Sequence, residues 1–135
     1  MKKIISVISF FLWPFLTQAQ SGLFSNGGMI TLKPGAVMQV NGDLYNANNS
    51  SLVLDGELSI TGDITNDQFM NALTFGSLIL NGNTAQQFQG TEALRVNNLE
   101  INNANGITLN NRLFVIGEAK FISGIVTANN SLQTL

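Results

Sequence analysis

The 135-residue chain reads as an all-β protein, a right-handed parallel β-solenoid of about five coils with a repeat of 20–21 residues. Three observations carry that reading. An apolar residue precedes a small polar turn at Val40, Ile60, Leu80, Ile101 and Ile122, at spacings of 20, 20, 21 and 21. Met38, Leu58, Leu78 and Leu99 stand two positions earlier, the period-2 alternation of a strand with one apolar face. It fails at Lys120, where Phe121 marks a shifted register. The composition adds eighteen Asn and 13 Gly with only 10% charged residues. Asn and Gly tolerate left-handed backbone angles and are poor helix formers, while Leu, Ile and Val recur steadily enough to fill a core.

An antiparallel β-sandwich competes, with Asn41-Gly42 and Asn81-Gly82 closing type I′ hairpins. The fixed offset favours the solenoid. Hairpins need a turn somewhere, whereas stacked coils need the same residue class at the same phase, because each side chain's neighbours are its own repeat mates. Asn at equivalent corners can also form side-chain ladders.

Taken in order, the chain opens MKKIISVISFFLWPFLTQAQ. Lys2 and Lys3, an apolar run from Ile4 to Leu16, and Thr17 and Ala19 before a cleavage point make residues 1–19 a signal peptide. The run is too short for a membrane span, which needs roughly 20 apolar residues, so no transmembrane segment is expected after cleavage. Residues 20–135 form one domain of 116 residues. Inward-facing strands are expected near residues 30–33, 37–41, 52–54, 57–61, 77–81, 94–98, 99–102, 107–109, 113–116, 120–123 and 125–128. TNDQFMNA, 65–72, reads as a loop or short helical turn, and NTAQQFQGTEA, 83–93, as an irregular segment. Leu23 and Phe24 are candidates to cover the N-terminal end. Nothing polar closes the other end, where the chain stops at ANNSLQTL inside a strand pattern, so a domain truncated at its C-terminus is expected, along with end-to-end self-association.

After cleavage the cations are Lys33, Arg95, Arg112 and Lys120 against eight acidic residues, a balance of −4. Scattered cations on an acidic chain give no footprint for nucleic acid or for an anionic membrane. The chain has no His and no Cys. That removes Ser-His-Asp and Cys-His nucleophiles, the usual zinc ligand sets, and disulfides.

Carboxylates remain. QVNGDLYN at 39–46 and SITGDITN at 59–66 place Asp43 and Asp63 twenty residues apart, one above the other in a solenoid. Such a pair can share Ca²⁺ with backbone carbonyls or act as acid and base. It can equally mark a corner, since Asp after Gly is a good turn residue and the next equivalent positions are Asn83 and Ala104. The corner reading is preferred, with Asp43 and Asp63 kept as calcium candidates; no catalytic residue and no other cofactor is expected. Sugar platforms favour exposed Trp and Tyr. With Trp13 in the signal peptide, Tyr45 remains, and Phe24, Phe69, Phe75, Phe88, Phe114 and Phe121 are expected in the core. Asn49-Ser50-Ser51 matches a glycan acceptor pattern and reads as a solvated turn.

Between Gly76 and Asn130 the elements Leu80-Asn81-Gly82, Gln87-Phe88-Gln89-Gly90, Asn97-Asn98-Leu99, Ile101-Asn102-Asn103 and Gly106-Ile107-Thr108-Leu109 stand in series. This resembles the Asn- and Gly-rich β-solenoid repeat regions of secreted and cell-surface proteins of Bacteroidota. The resemblance implies a stalk, an adhesin-like surface or a spacer, often joined to a C-terminal sorting domain for type IX secretion, which this sequence lacks. The expected function is therefore a non-enzymatic structural or adhesive module. It would be exported through the inner membrane to the cell surface or extracellular space, with surface glycans or other exported proteins as partners. The alternative is a carbohydrate-active or calcium-binding module using the stacked acids.

Overall fold

The structure, a computed structural model, describes residues 21–69 and 75–129. The expected signal peptide, the end of TNDQFMNA and the last six residues lie outside the described residues. Among the described residues, short alternating segments punctuated by Gly and Asn form fifteen strands. The first coil holds β1 (Gly22–Ser25), β2 (Met29–Leu32) and β3 (Val37–Val40); the second β4 (Asp43–Asn46), β5 (Ser51–Leu54) and β6 (Glu57–Ile60). The third contains β7 (Ile64–Asn66) and β8 (Ser77–Leu80), and the fourth β9 (Gln86–Gln89), β10 (Leu94–Val96) and β11 (Asn98–Asn102). The fifth is β12 (Ile107–Leu109), β13 (Leu113–Val115) and β14 (Ala119–Ser123), after which β15 (Val126–Ala128) begins another.

Every pairing among the described residues is parallel. The chain is thus a β-solenoid, and the NG pairs are corners rather than hairpins. Its sides are a six-stranded sheet, β1-β4-β7-β9-β12-β15, a five-stranded sheet, β3-β6-β8-β11-β14, and a third side made of the pairs β2-β5 and β10-β13. Alternation sends every second residue inward, so repeat mates stack in columns. Val40, Ile60, Leu80 and Ile101 form one, and Leu58, Leu78 and Leu99 another. Leu44, Ile64 and Phe88 form a third on the six-stranded sheet. All of these are buried, each contributing roughly 1.5–3 kcal/mol.

The constant repeat conceals two kinds of coil. From the five-stranded to the six-stranded sheet the chain takes four positions in the early coils, Val40 to Leu44 and Ile60 to Ile64, but eight later, Leu80 to Phe88 and Ile101 to Leu109. The return path shortens in compensation, from 16 positions (Leu44 to Ile60) to 13 (Phe88 to Ile101). Where the two kinds meet, the Gly62 carbonyl and the Gly82 amide take a side-chain partner, and an unpaired buried group is costly. Two buried amides fill the joints. Gln86 donates through Nε2 to the Ile60 and Gly62 carbonyls at 3.1 and 2.6 Å, while its Oε1 accepts from Gly82 N–H and Asn103 Nδ2, both at 2.9 Å. At the other corner Asn66 Nδ2 donates to the carbonyls of Glu92 and Ala93 at 3.2 and 3.1 Å, and its Oδ1 accepts from buried Asn46 at 2.8 Å. Asn46 over Asn66 is a buried ladder between the ends of two strands, inside the coil rather than at the Asn41-Gly42 and Asn81-Gly82 corners where a ladder is expected.

Several expectations need correction. Segment 83–93 contains β9, and the two Gly-Asp stretches lead into strands, DLYN as β4 and ITN as β7, with corners in front of them. Ile122 is not the mate of Ile101. Phe121 takes that place and the register shifts beyond it, because the extra residue is accommodated as a bulge. Of the six Phe, only Phe88 is buried; Phe24, Phe69, Phe75, Phe114 and Phe121 are exposed. Phe24 and Phe114 occupy outward phases of their strands, with Arg95 lying 4.7 Å over the Phe114 ring, and Phe121 sits on an edge strand. Leu23 packs against the core, but Phe24 covers no end.

Candidate functional site

The alternation that turns Leu23, Leu44, Ile64 and Phe88 inward turns their neighbours outward. Two outward columns result on the six-stranded sheet. Gly22, Asp43, Asp63 and Gln87 make one, and Phe24, Tyr45, Thr65 and Gln89 the other. Between them lies a groove of about 460 Å³. Asp43 and Asp63 form one bank, Phe24, Tyr45 and Thr65 the opposite one, and Gln89 stands at the far end.

The structure brings Asp43 and Asp63 together on adjacent coils, as the 20-residue offset requires. Each carboxylate also ties its coil to the next. Asp43 Oδ1 accepts from Asp63 N–H at 2.8 Å, and Asp63 Oδ1 accepts from Gln87 N–H at 2.8 Å. The same arrangement recurs at Asp55 with Phe75 N–H (3.1 Å), Asp67 with Thr91 N–H (2.9 Å) and Asn98 with Glu118 N–H (3.1 Å). Asparagine serves at one of these positions, Asn98, so a neutral acceptor oxygen is sufficient for the bond there. Among the described residues no three His, Cys, Asp or Glu gather to hold a metal. A calcium ion at this place would draw on two carboxylates, with carbonyls and water completing its 6–8 oxygen ligands.

The aromatic bank is held from behind. The Tyr45 phenol donates to the Asp67 carboxylate, which also accepts from Thr91 N–H and, at 3.1 Å, from Thr91 Oγ1. That hydrogen bond to Asp67 raises the Tyr45 pKa above its ordinary value. Asp67 is held below the usual carboxylate range, first by the Thr91 N–H and then by Tyr45. The Phe24 ring lies on Tyr45 with centroids 4.9 Å apart and planes tilted by 36°. A fixed aromatic shelf thus faces two hydrogen-bond-accepting carboxylates, with a hydroxyl and an amide alongside. Such a surface can bind by stacking and hydrogen bonding.

Phe24, Tyr45, Thr65 and Gln89 were not indicated as site residues by the sequence reading. A signal was present, because Leu44/Asn46 and Ile64/Asn66 alternate at the same offset and set Tyr45 and Thr65 on the outward phase. Comparison of the chain with family models, with curated proteins and with solved structures finds no match.

Proposed function

We propose that this chain is an exported, non-enzymatic module of the cell surface or extracellular space, structural or adhesive in role. The observation that carries the reading is the division of labour in the coil: a continuous apolar core with internal amide joints carries the stack, and the outer columns, tied from coil to coil at Asp43 and Asp63, still present exposed side chains. Outside, amides and hydroxyls repeat from coil to coil, as in Asn129 to Asn110 (2.8 Å) and Asn110 to Gln87 (3.0 Å). A parallel stack of this kind presents ligand-sized features at a fixed pitch of about 4.8 Å. The signal-like start and the resemblance to exported repeat regions support the location. The absence of His and Cys supports a role without Ser-His-Asp or Cys-His chemistry.

The test is to express the full chain with a C-terminal tag in a Gram-negative host, fractionate the cells and sequence the N-terminus. A processed product beginning at Gln20 outside the cytoplasm is expected. An intact Met1 product in the cytoplasm contradicts export.

The second reading, a calcium-binding or carbohydrate-active module on Asp43 and Asp63, is favoured by their place on one bank of the groove. It requires calcium to raise the melting temperature of the wild type and not of Asp63→Asn. We expect neither protein to respond. For self-association, the exposed Phe121 and Ile125 at the end bearing edge strands β13, β14 and β15 offer an apolar contact. Phe121→Lys is expected to reduce concentration-dependent association in sedimentation.

A further inference from the structure

We infer that the groove between the Asp43/Asp63 bank and the Phe24/Tyr45 shelf is a binding site for a neutral, extended glycan. The inference rests on the adhesive reading above and names the ligand class. Its volume of about 460 Å³ falls within the range of small-molecule sites, roughly 300–1,000 Å³. The groove crosses strands β1, β4, β7 and β9, three spacings of about 4.8 Å, or roughly 14 Å in all. That length suits a short run of sugar rings better than a compact ligand.

The chemistry of the lining selects the class. Asp43 and Asp63 line the groove and no Lys or Arg does, so phosphates, nucleic acids and acidic polysaccharides meet like charge without a counter-charge. A peptide would bind by adding a strand, but β4, β7 and β9 are paired on both sides, and the edge of β1 lies at the end of the sheet rather than along the groove between its two banks. Pyranose rings carry an apolar C–H face and a rim of hydroxyls. The first fits an aromatic shelf, and the second donates to carboxylates, whose charge-assisted hydrogen bonds are the stronger kind.

The site is also preformed. Phe24 is 62% exposed yet fixed against Tyr45, and Tyr45 is fixed by Asp67, which Thr91 holds in turn, so little ordering cost falls on binding. Gly22 leaves the groove without a side chain next to Phe24, opening the shelf at that end.

The test uses the full chain in calorimetric titration with cellohexaose, xylohexaose and mannohexaose, and with a galacturonic acid hexamer as the anionic arm. At least one neutral hexamer is expected to bind with a Kd below about 1 mM, and the acid to bind more weakly than it. Phe24→Ala and Tyr45→Ala should each weaken binding by about tenfold or more, with Tyr45→Phe retaining most of it. Phe24 projects outward, so an unchanged melting curve in Phe24→Ala separates a lost contact from a lost fold. No neutral hexamer bound, binding indifferent to both alanine variants, or preference for the acid would each overturn the site. A chain exported to the surface that binds no sugar refutes this site and leaves the structural role standing. A chain retained in the cytoplasm refutes the surface role whatever its sugar affinity.

Discussion

The early coils, residues 22–80, turn from sheet to sheet across a two-residue corner such as Asn41-Gly42, while the later coils, residues 86–123, use a wide corner such as 103–106. The early corners are held from outside, by Asp43 and Asp63 accepting amides of the following coil. The wide ones are held from inside, by Asn103, which is fully buried and donates to the Thr84 carbonyl at 2.7 Å and to Gln86. The difference teaches where sequence is free to vary. An exposed acceptor has water as a substitute partner, whereas a buried amide at a joint has none. The outer faces of the early coils can therefore carry a site, and the inner amides cannot be traded away.

The largest expected effect follows at the joint. Gln86→Ala leaves the Gly62 carbonyl and the Gly82 amide without their side-chain partner, at about 1–3 kcal/mol for each orphaned group, so a loss of roughly 3–5 kcal/mol is expected in urea unfolding. A loss no larger than that of an outer polar residue would erase the distinction between the two corners. Next comes Gly90→Ala. Gly90 has φ +119° and a side chain there would run into the Asn66 backbone, so about 2–3 kcal/mol of destabilisation is expected. A neutral substitution would mean the return path is looser than its contacts indicate.

How much of this was legible beforehand depended on which column was read. Val40, Ile60, Leu80 and Ile101 report the coil correctly, because the widened corner and shortened return path cancel at that column. The cancellation hid β9: its strand lies 24 positions after β7, Ile64 to Phe88, so a 20-residue template laid over 83–93 finds no strand. The exposed Phe were misjudged for a related reason. Hydrophobicity names a residue fit for the core, but the phase of alternation decides whether it reaches it, and a coil with few inward positions leaves Phe24 and Phe114 outside. The Asp43/Asp63 juxtaposition was legible from the offset alone. Its partner, the aromatic bank, required β4 and β7 to be recognised as strands.

Smaller effects sharpen the outer side of the comparison. Asp43→Ala should cost about 1 kcal/mol and Asp43→Asn close to nothing, since the amide oxygen still accepts from Asp63 N–H. An equal cost in both, measured by thermal melting, would show that charge matters at this corner. The smallest concerns pH. Asp67 is held below its ordinary range, so its stabilising effect is fully present above the unfolded carboxylate pKa and is lost as pH falls through the lowered folded value. The stability advantage of wild type over Asp67→Asn should therefore be present at neutral pH and vanish in acid. An advantage that persists below the carboxylate range would place its origin elsewhere than in ionisation. At the alkaline side the sign reverses: the raised Tyr45 contributes below the ordinary tyrosine pKa and loses its effect as pH rises through the folded value.

The central claim is that buried amides join two kinds of coil into one structure, leaving the outer groove free to bind. A double-mutant cycle between Gln86 and Asn103, bonded at 2.9 Å, tests it most directly, using Gln86→Ala, Asn103→Ala and the pair in urea unfolding. The predicted result is a coupling energy of about 1–3 kcal/mol with non-additive losses. Strictly additive losses would contradict the joint, reducing Gln86 and Asn103 to two independent buried residues.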